Sequence, residues 1–97
     1  MLTDDSLRGR LVLSGDGLSI GEVVRLFVDP GEWRVRAIEV KLRNDVADRI
    51  GAHHGLLRAA TLQIPTEQIQ SVGDAVILSV AVTALHPPST SAATQPA

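Results

Sequence analysis

Three histidines are the residues of this sequence that most directly suggest metal chemistry. His53 and His54 are adjacent, His86 lies further along the chain, and Asp45 and Asp48 precede the histidine pair. Imidazole and carboxylate groups together can form zinc sites, but adjacent histidines rarely point the same way and the chain has no cysteine to assist them. The pattern favours a solvated loop over a metal centre, and we predict no metal and no other cofactor.

Motifs for nucleophilic catalysis and for phosphate binding are also poorly matched. The serines and threonines fall mostly in turn-like or tail segments, with no Gly-x-Ser-x-Gly motif and no recognisable Ser-His-Asp set. The glycine-rich stretch 14–17 contains Asp16, whose charge would repel an anion, so it predicts a hairpin turn. Asp4 and Asp5 are typical of a helix cap. We therefore predict that the protein is not an enzyme.

The best candidates for binding a protein partner surround a predicted turn. Trp33 is followed by Arg34 and Arg36, and both residue types are enriched at the energetic centres of protein interfaces. One interpretation is an exposed Trp33 that anchors a partner. The other is a Trp33 that folds back and covers an open end of the domain. The sequence supports both equally.

A basic stripe formed by Arg25, Arg34 and Arg36 would suggest RNA binding. Acidic residues are interleaved with these arginines, and cross-strand pairing with Glu22, Glu32 and Glu39 would largely neutralise the stripe. The net charge is -2, and no block of basic residues is present. We therefore do not expect nucleic acid to be bound directly.

Length and composition limit the architecture. A chain of 97 residues suits one domain, and 44% of its residues are hydrophobic. Because Phe27 and Trp33 are the only aromatic residues, the core must be aliphatic. The lack of cysteine, of a signal-peptide pattern and of a long apolar run predicts a cytoplasmic protein with no membrane span.

Turn residues divide the chain into short elements. We predict strands at 10–13, 20–28, 34–43, 60–64, 69–72 and 75–80, and helical turns at 44–51 and 82–86. In the turn at 29–32, Pro30 presets φ and Gly31 permits a positive φ. Leu56 and Leu57 belong to a loop that either closes over the core or offers an apolar patch to a partner. Residues 1–86 form the domain, and 87–97 should be a disordered tail without large apolar residues.

The second and third strands differ in pattern. In the third, Ile38 and Val40 alternate with Glu39 and Lys41, which indicates one buried and one solvated face. The second has apolar residues on both faces, among them Val23 and Phe27. Either a bulge shifts its register, or a second subunit covers its outer face. The second possibility makes Val23 and Phe27 candidate partner contacts and predicts a homodimer.

Five or six short strands predict a small all-β barrel or sandwich, and closure into a barrel would remove exposed sheet edges. The order of six short motifs resembles the PRC-barrel family over about residues 7–85. The motifs are Arg8-Gly9-Arg10, Asp16-Gly17, Ile20-Gly21-Glu22-Val23, Val28-Asp29-Pro30, Ile64-Pro65 and Val72-Gly73-Asp74.

The resemblance implies a small five- to six-stranded PRC-type barrel with one or two short helical turns. The fold-defining residues would let a strand bend, fix turns and end a strand; they are Gly21, Asp29, Pro30, Ile64, Pro65, Gly73 and Asp74. The region after Asp45 is most similar to stand-alone archaeal members. That similarity implies an adaptor that binds proteins, in a cell-division assembly. The alternative is a ribosome- or RNA-processing-associated factor, as in another branch of the family.

Overall fold

A computed structural model describes residues 2–51 and 60–85 of the 97-residue chain. Two short helices, α1 (Asp4–Leu7) and α2 (Asn44–Ile50), accompany two 3₁₀ turns, Thr66–Gln68 and Val82–Ala84. The six strands are β1 (Leu11–Leu13), β2 (Ser19–Asp29), β3 (Arg34–Leu42), β4 (Thr61–Pro65), β5 (Ile69–Val72) and β6 (Ala75–Leu78). The predicted all-β class is confirmed, and every predicted strand is present within two residues at its ends.

The strands form one sheet in the order β4-β3-β2-β1-β6-β5. All neighbours are antiparallel except β1 and β6, which are parallel. The outermost strands, β4 and β5, are joined by the three-residue turn Thr66–Gln68, so the sheet curls until its two edges approach each other. In the part of the chain that the structure describes, no hydrogen-bonded ladder joins these edges. The barrel is thus less completely closed than the sequence led us to expect.

Two β-bulges interrupt the pairing of β2 with β3, and the first of them is on β2. Val23 pairs with Val40 and Arg25 with Glu39, so Val24 is an extra residue on β2. This extra residue turns Arg25 towards solvent and returns Leu26 to the core side, where it pairs with Ile38. Further along, Arg36 is the extra residue on β3. A bulge therefore accounts for the neighbouring apolar residues Val23 and Val24, while a second subunit over the outer face at Phe27 stays a prediction.

Gly21 is required by a close approach of two strands. A Cβ atom at this position would lie 2.0 Å from the carbonyl oxygen of Lys41 on β3. A register shift next to it makes Ile20 an extra residue relative to β1. The expectation that Gly21 marks a bend or bulge is confirmed, and its lack of a side chain lets β2 and β3 meet there.

The core is aliphatic, as expected from the composition. Ile38, Val40 and Leu42 of β3 are at most 3% exposed, while Lys41 between them is exposed. Ile64 of β4 is 1% exposed, and the strand ends at Pro65. The other described members of this hydrophobic cluster come from β1, β2, β4, β6, α2 and nearby residues: Val12, Ile20, Val23, Val46, Ala47, Ala60, Leu62, Val76, Leu78, Val82 and Leu85.

The two ends of the barrel differ. At the end where β3 leaves the sheet, α2 buries Val46 and Ala47, contacts the turn Val82–Ala84 and ends at Gly51, which has φ +80°. The β2–β3 turn and α1 lie at the other end of the barrel. The nine residues of β3 separate the two ends by roughly 25–30 Å. Helix α1 is capped by Thr3, whose side chain accepts a hydrogen bond from the amide of Ser6. The cap is thus Thr3 and not Asp4 or Asp5.

Several sequence predictions fall on residues outside the described part of the chain. These are the histidine hypothesis at His53, His54 and His86, the Leu56-Leu57 loop, and the tail at 87–97. Among residues 2–51 and 60–85 there is no group of three or more metal-ligating side chains. Within the same residues, no helix is long and apolar enough to cross a bilayer.

Candidate functional site

The turn between β2 and β3 carries the most exposed large hydrophobic side chain of the described residues. Asp29 and Arg34 are the last paired positions, and residues 30–33 form the turn. Trp33 is 84% exposed, so it does not cover the end of the barrel. Of the two interpretations of Trp33, the structure agrees with the exposed one.

Trp33 also has an unusual backbone conformation. Its φ is +55°, which makes it the one residue other than glycine with a positive φ in the described chain. Gly31, for which the sequence predicted a positive φ, is not among the residues that adopt one. The left-handed conformation brings Cβ too close to the carbonyl oxygen and costs about 1–2 kcal/mol for an L-residue. The strained position of the turn is therefore Trp33 and not Gly31, two positions earlier.

Asp29 organises this turn. Its Oδ1 accepts hydrogen bonds from the amides of Gly31, at 2.8 Å, and Glu32, at 3.4 Å. The hydrogen bond from the Gly31 amide, aided by that from Glu32 and by the Arg36 guanidinium, lowers the pKa of Asp29 below its ordinary value of 3.8. Pro30 follows at the first position of the turn, as predicted. These contacts hold the loop that presents Trp33 to solvent.

The arginines of the turn are engaged with neighbouring carboxylates. Arg36 Nε lies 3.4 Å from Asp29 Oδ2, and its Nη2 contacts Glu32 Oε1. Arg34 Nε is held more loosely, 3.9 Å from Glu32 Oε1. The side chains of Arg34 and Arg36 are 66% and 47% exposed. Because exposed pairs contribute little stability, both guanidinium groups can exchange a carboxylate of the turn for one on a partner.

A groove lies beside this turn, and we call it the apolar groove. It has a volume of about 480 Å³ and extends between the inner side of the β2–β3 hairpin, β5 and the N-terminal segment. Its apolar lining is Leu2, Leu7, Leu26, Val28, Val35, Ile38, Ile69 and Val72. Three of these side chains remain well exposed: Leu2 and Val28 at 48%, and Val72 at 40%. Among the described residues that line the groove, Asp4 is the one titratable residue, so these residues offer apolar contact and no acid-base pair.

The candidate partner contacts do not form one surface. Trp33, Arg34 and Arg36 are together on the turn. Phe27, opposite Ala37 on the neighbouring strand, is partly buried. Val23 is 1% exposed in the core, so it has no surface to offer, and we withdraw it as a partner contact.

Sequence reasoning missed the apolar groove. Leu2 and Val72 are seventy positions apart, and no periodicity in the sequence links them. A usable signal was present at Val28, an apolar residue one position before the turn. Val28 follows Phe27 directly, so apolar side chains occur on both faces of β2 here, and Val28 lines the groove of its own domain.

Comparison with known proteins identifies the fold family. A search of curated proteins finds no match. A family model for the PRC-barrel domain matches residues 1–82, which is most of the chain. With the curled six-stranded sheet and the motifs at Gly21, Asp29 and Ile64, this match establishes that the chain belongs to the PRC-barrel domain family, a family of small, non-catalytic protein-interaction modules.

Proposed function

We propose that this protein is an adaptor that binds other proteins through the end of the barrel that carries Trp33. The observation that supports the proposal is the 84% exposure of Trp33 at a φ of +55°. An exposed indole in a strained conformation contributes little to the stability of its own domain. Strain of this kind concentrates at functional sites, where a gain elsewhere offsets it.

The turn has the chemistry of an interface centre. Tryptophan and arginine are the residue types whose truncation most often weakens protein complexes. Trp33 offers a large apolar surface, and Arg34 and Arg36 flank it with exposed guanidinium groups. Asp29 fixes the loop before a partner arrives, which reduces the entropy lost on binding. We therefore expect a partner surface with an apolar pocket and nearby carboxylates.

The resemblance to stand-alone archaeal members supports a cell-division assembly as the setting of this adaptor. A ribosome- or RNA-associated role is less well supported, because Arg25 is paired with Glu39 at 3.5 Å and Arg36 with Asp29 and Glu32. With a net charge of -2 and a carboxylate beside each of these arginines, the chain lacks the excess of positive charge that phosphate binding requires, whereas a protein partner can also make apolar contact with Trp33. We propose a protein as the direct partner in either setting.

Affinity capture from a lysate of the native host tests this proposal. Wild-type protein is compared with Trp33→Gly, which removes the indole and suits the positive φ. The matched control is Leu18→Ala, since Leu18 is 40% exposed but lines a pocket with α2 at the far end of the barrel. We expect the same proteins with wild type and with the control, and their loss with Trp33→Gly.

Two outcomes would contradict the proposal. Equal recovery with Trp33→Gly and wild type would remove the Trp33 turn as the binding site. Recovery of ribosomal proteins that disappear after nuclease treatment would favour the RNA-associated alternative. Division proteins that survive nuclease and depend on Trp33 would support both the adaptor role and its setting.

A further inference from the structure

The Trp33 turn and the apolar groove lie at the same end of the barrel. Val28 and Val35, which both line the groove, form the cross-strand pair directly before Asp29 and Arg34. The turn that carries Trp33 starts at the next position. Each molecule therefore presents, side by side, one exposed indole and one open apolar groove.

We propose that the apolar groove binds the Trp33 turn of a second copy of this chain, in a two-fold dimer with two equivalent contacts. The proposal rests on the Trp33 turn being a binding site, and it names the first partner of that site. A two-fold interface requires a self-complementary surface, on which each copy supplies both the inserted group and its receptor. The end of this barrel meets that requirement with two features of one hairpin.

The groove suits an indole in size and chemistry. Its volume of about 480 Å³ exceeds that of one tryptophan side chain, and it falls within the range of pockets that hold small ligands. The most exposed apolar residues of the lining, Leu2, Val28 and Val72, surround it with aliphatic surface. Removing this surface and the indole from water together would drive association.

Charges at the two features are complementary. Asp4 lines the groove and Asp5 follows it, with side chains that are 66% and 94% exposed. Asp4 is paired with Arg8 at 3.2 Å, but Asp5 lies 4.0 Å from Arg8 and Arg34 lies 3.9 Å from Glu32, so Asp5 and Arg34 are only loosely engaged within their own molecule. In the dimer, Arg34 of one copy approaches the acidic residues beside the groove of the other. Salt should therefore weaken the dimer moderately.

Composition and the position of the flanking residues make two other segments of this sequence weaker candidates for the groove. Residues 86–97 contain no large apolar side chain. The segment with Leu56 and Leu57 follows Gly51, the C-terminal cap of α2, and precedes Ala60, whose carbonyl accepts from the amide of Leu42. Both flanks of that segment are at the α2 end of the barrel, away from the groove.

The expected interface is small. An aromatic side chain buries about 150–250 Å², so two indoles and the groove surfaces that they cover amount to roughly 800 Å². Stable interfaces bury about 1,200–2,000 Å² in total. We therefore expect a reversible dimer that forms with rising protein concentration, and not an obligate one.

Sedimentation velocity over a concentration series tests the proposal. Wild type should change from monomer to dimer between low micromolar and millimolar concentration. Trp33→Gly, without the indole, and Val72→Glu, with a charge in the groove, should each weaken association at least about tenfold. Leu2→Glu provides a second groove variant if Val72→Glu does not fold, and Leu18→Glu at the far end is the control that should dimerise like wild type.

An equimolar mixture of Trp33→Gly and Val72→Glu gives the sharpest result. The first variant keeps an intact groove and the second keeps its Trp33, so the mixed pair retains one of the two contacts. We expect the mixture to associate more strongly than either variant alone and less strongly than wild type. A mixture that behaves like its components would overturn the reciprocal arrangement.

Failure of this inference can be separated from failure of the adaptor proposal. If wild type stays monomeric throughout and still captures proteins through Trp33, the groove does not receive a second copy but the adaptor role stands. If Trp33→Gly dimerises as strongly as wild type, the dimer uses another surface and the inference is wrong. Trp33-dependent dimerisation without any captured protein would support the inference and remove the adaptor role.

Discussion

Replacing Trp33 by glycine or by alanine separates the strain at this position from the contribution of the indole. Both variants remove the side chain that we assign to partner binding. Only glycine adopts a φ of +55° without steric cost. A comparison of the two variants with each other therefore reports the backbone conformation, and a comparison of both with wild type reports the packing of the indole.

The expected magnitudes follow from the exposure of Trp33. At 84% exposed, about a sixth of a side chain of roughly 250 Å² is buried, which is near 40 Å² and about 1 kcal/mol of hydrophobic stabilisation. Trp33→Ala loses this term and keeps the strain. Trp33→Gly loses the same term, gains about 1–2 kcal/mol from relief of strain, and loses about 0.5–1 kcal/mol to the freedom of glycine in the unfolded chain.

We therefore expect Trp33→Gly to be within about 1 kcal/mol of wild type and about 1 kcal/mol more stable than Trp33→Ala. For a domain of this size, that difference corresponds to a Tm higher by about 4–8 °C. Urea and thermal unfolding followed by circular dichroism provide the measurement, because Trp33 is the single tryptophan and its fluorescence is lost in both variants. A Trp33→Gly variant no more stable than Trp33→Ala would refute the positive φ. A loss above about 2 kcal/mol in both would show a packed indole.

Three further predictions test the fold and the turn. Gly21→Ala should lower the free energy of unfolding in urea by at least about 3 kcal/mol, because its Cβ would lie 2.0 Å from a facing carbonyl oxygen. The control Gly17→Ala, at a φ of +87° with open space around the new Cβ, should lower it by about 1 kcal/mol. Asp29→Asn should lower the Tm at neutral pH. That difference should become smaller in acid. The lowered pKa of Asp29 stabilises the folded state at pH values above its unfolded pKa near 3.8, and this stabilisation is lost as the pH falls through the lower pKa of the folded state. Ile64→Ala should destabilise by about 2–5 kcal/mol, against less than about 0.5 kcal/mol for the exposed neighbour Gln63→Ala.

The parts of the fold that the sequence predicted are those set by local chemistry. The alternation from Ile38 to Leu42 identifies the buried face of β3, because side chains of a strand point in turn to opposite sides. Gly51 ends α2 in the left-handed conformation, and Gly17 takes a positive φ in the first hairpin. At each of these positions, the residue and its nearest neighbours are sufficient to select the conformation.

The parts that it did not predict depend on partners far away in the chain. The parallel pairing of β1 with β6 joins segments about sixty positions apart, and the bulge at Val24 depends on where β3 meets β2. The apolar groove has the same origin, since the N-terminal segment, the hairpin and β5 contribute to it from separate regions. Val23 is an example. The apolar residues next to it in the sequence favoured an exposed partner contact, whereas the pairing of β2 with β3 leaves it 1% exposed in the core.

Trp33 is the position where local preference and structure disagree, and the disagreement bears on function. Glycine suits the left-handed conformation best, yet the glycine of the turn is at position 31 and the tryptophan occupies the strained position. Within the monomer, an indole that is 84% exposed offers about as much stabilisation as the strain removes. The monomer thus gains almost nothing from a tryptophan there. Since local conflicts of this kind are offset elsewhere in proteins that fold well, the compensating contact should lie on another molecule.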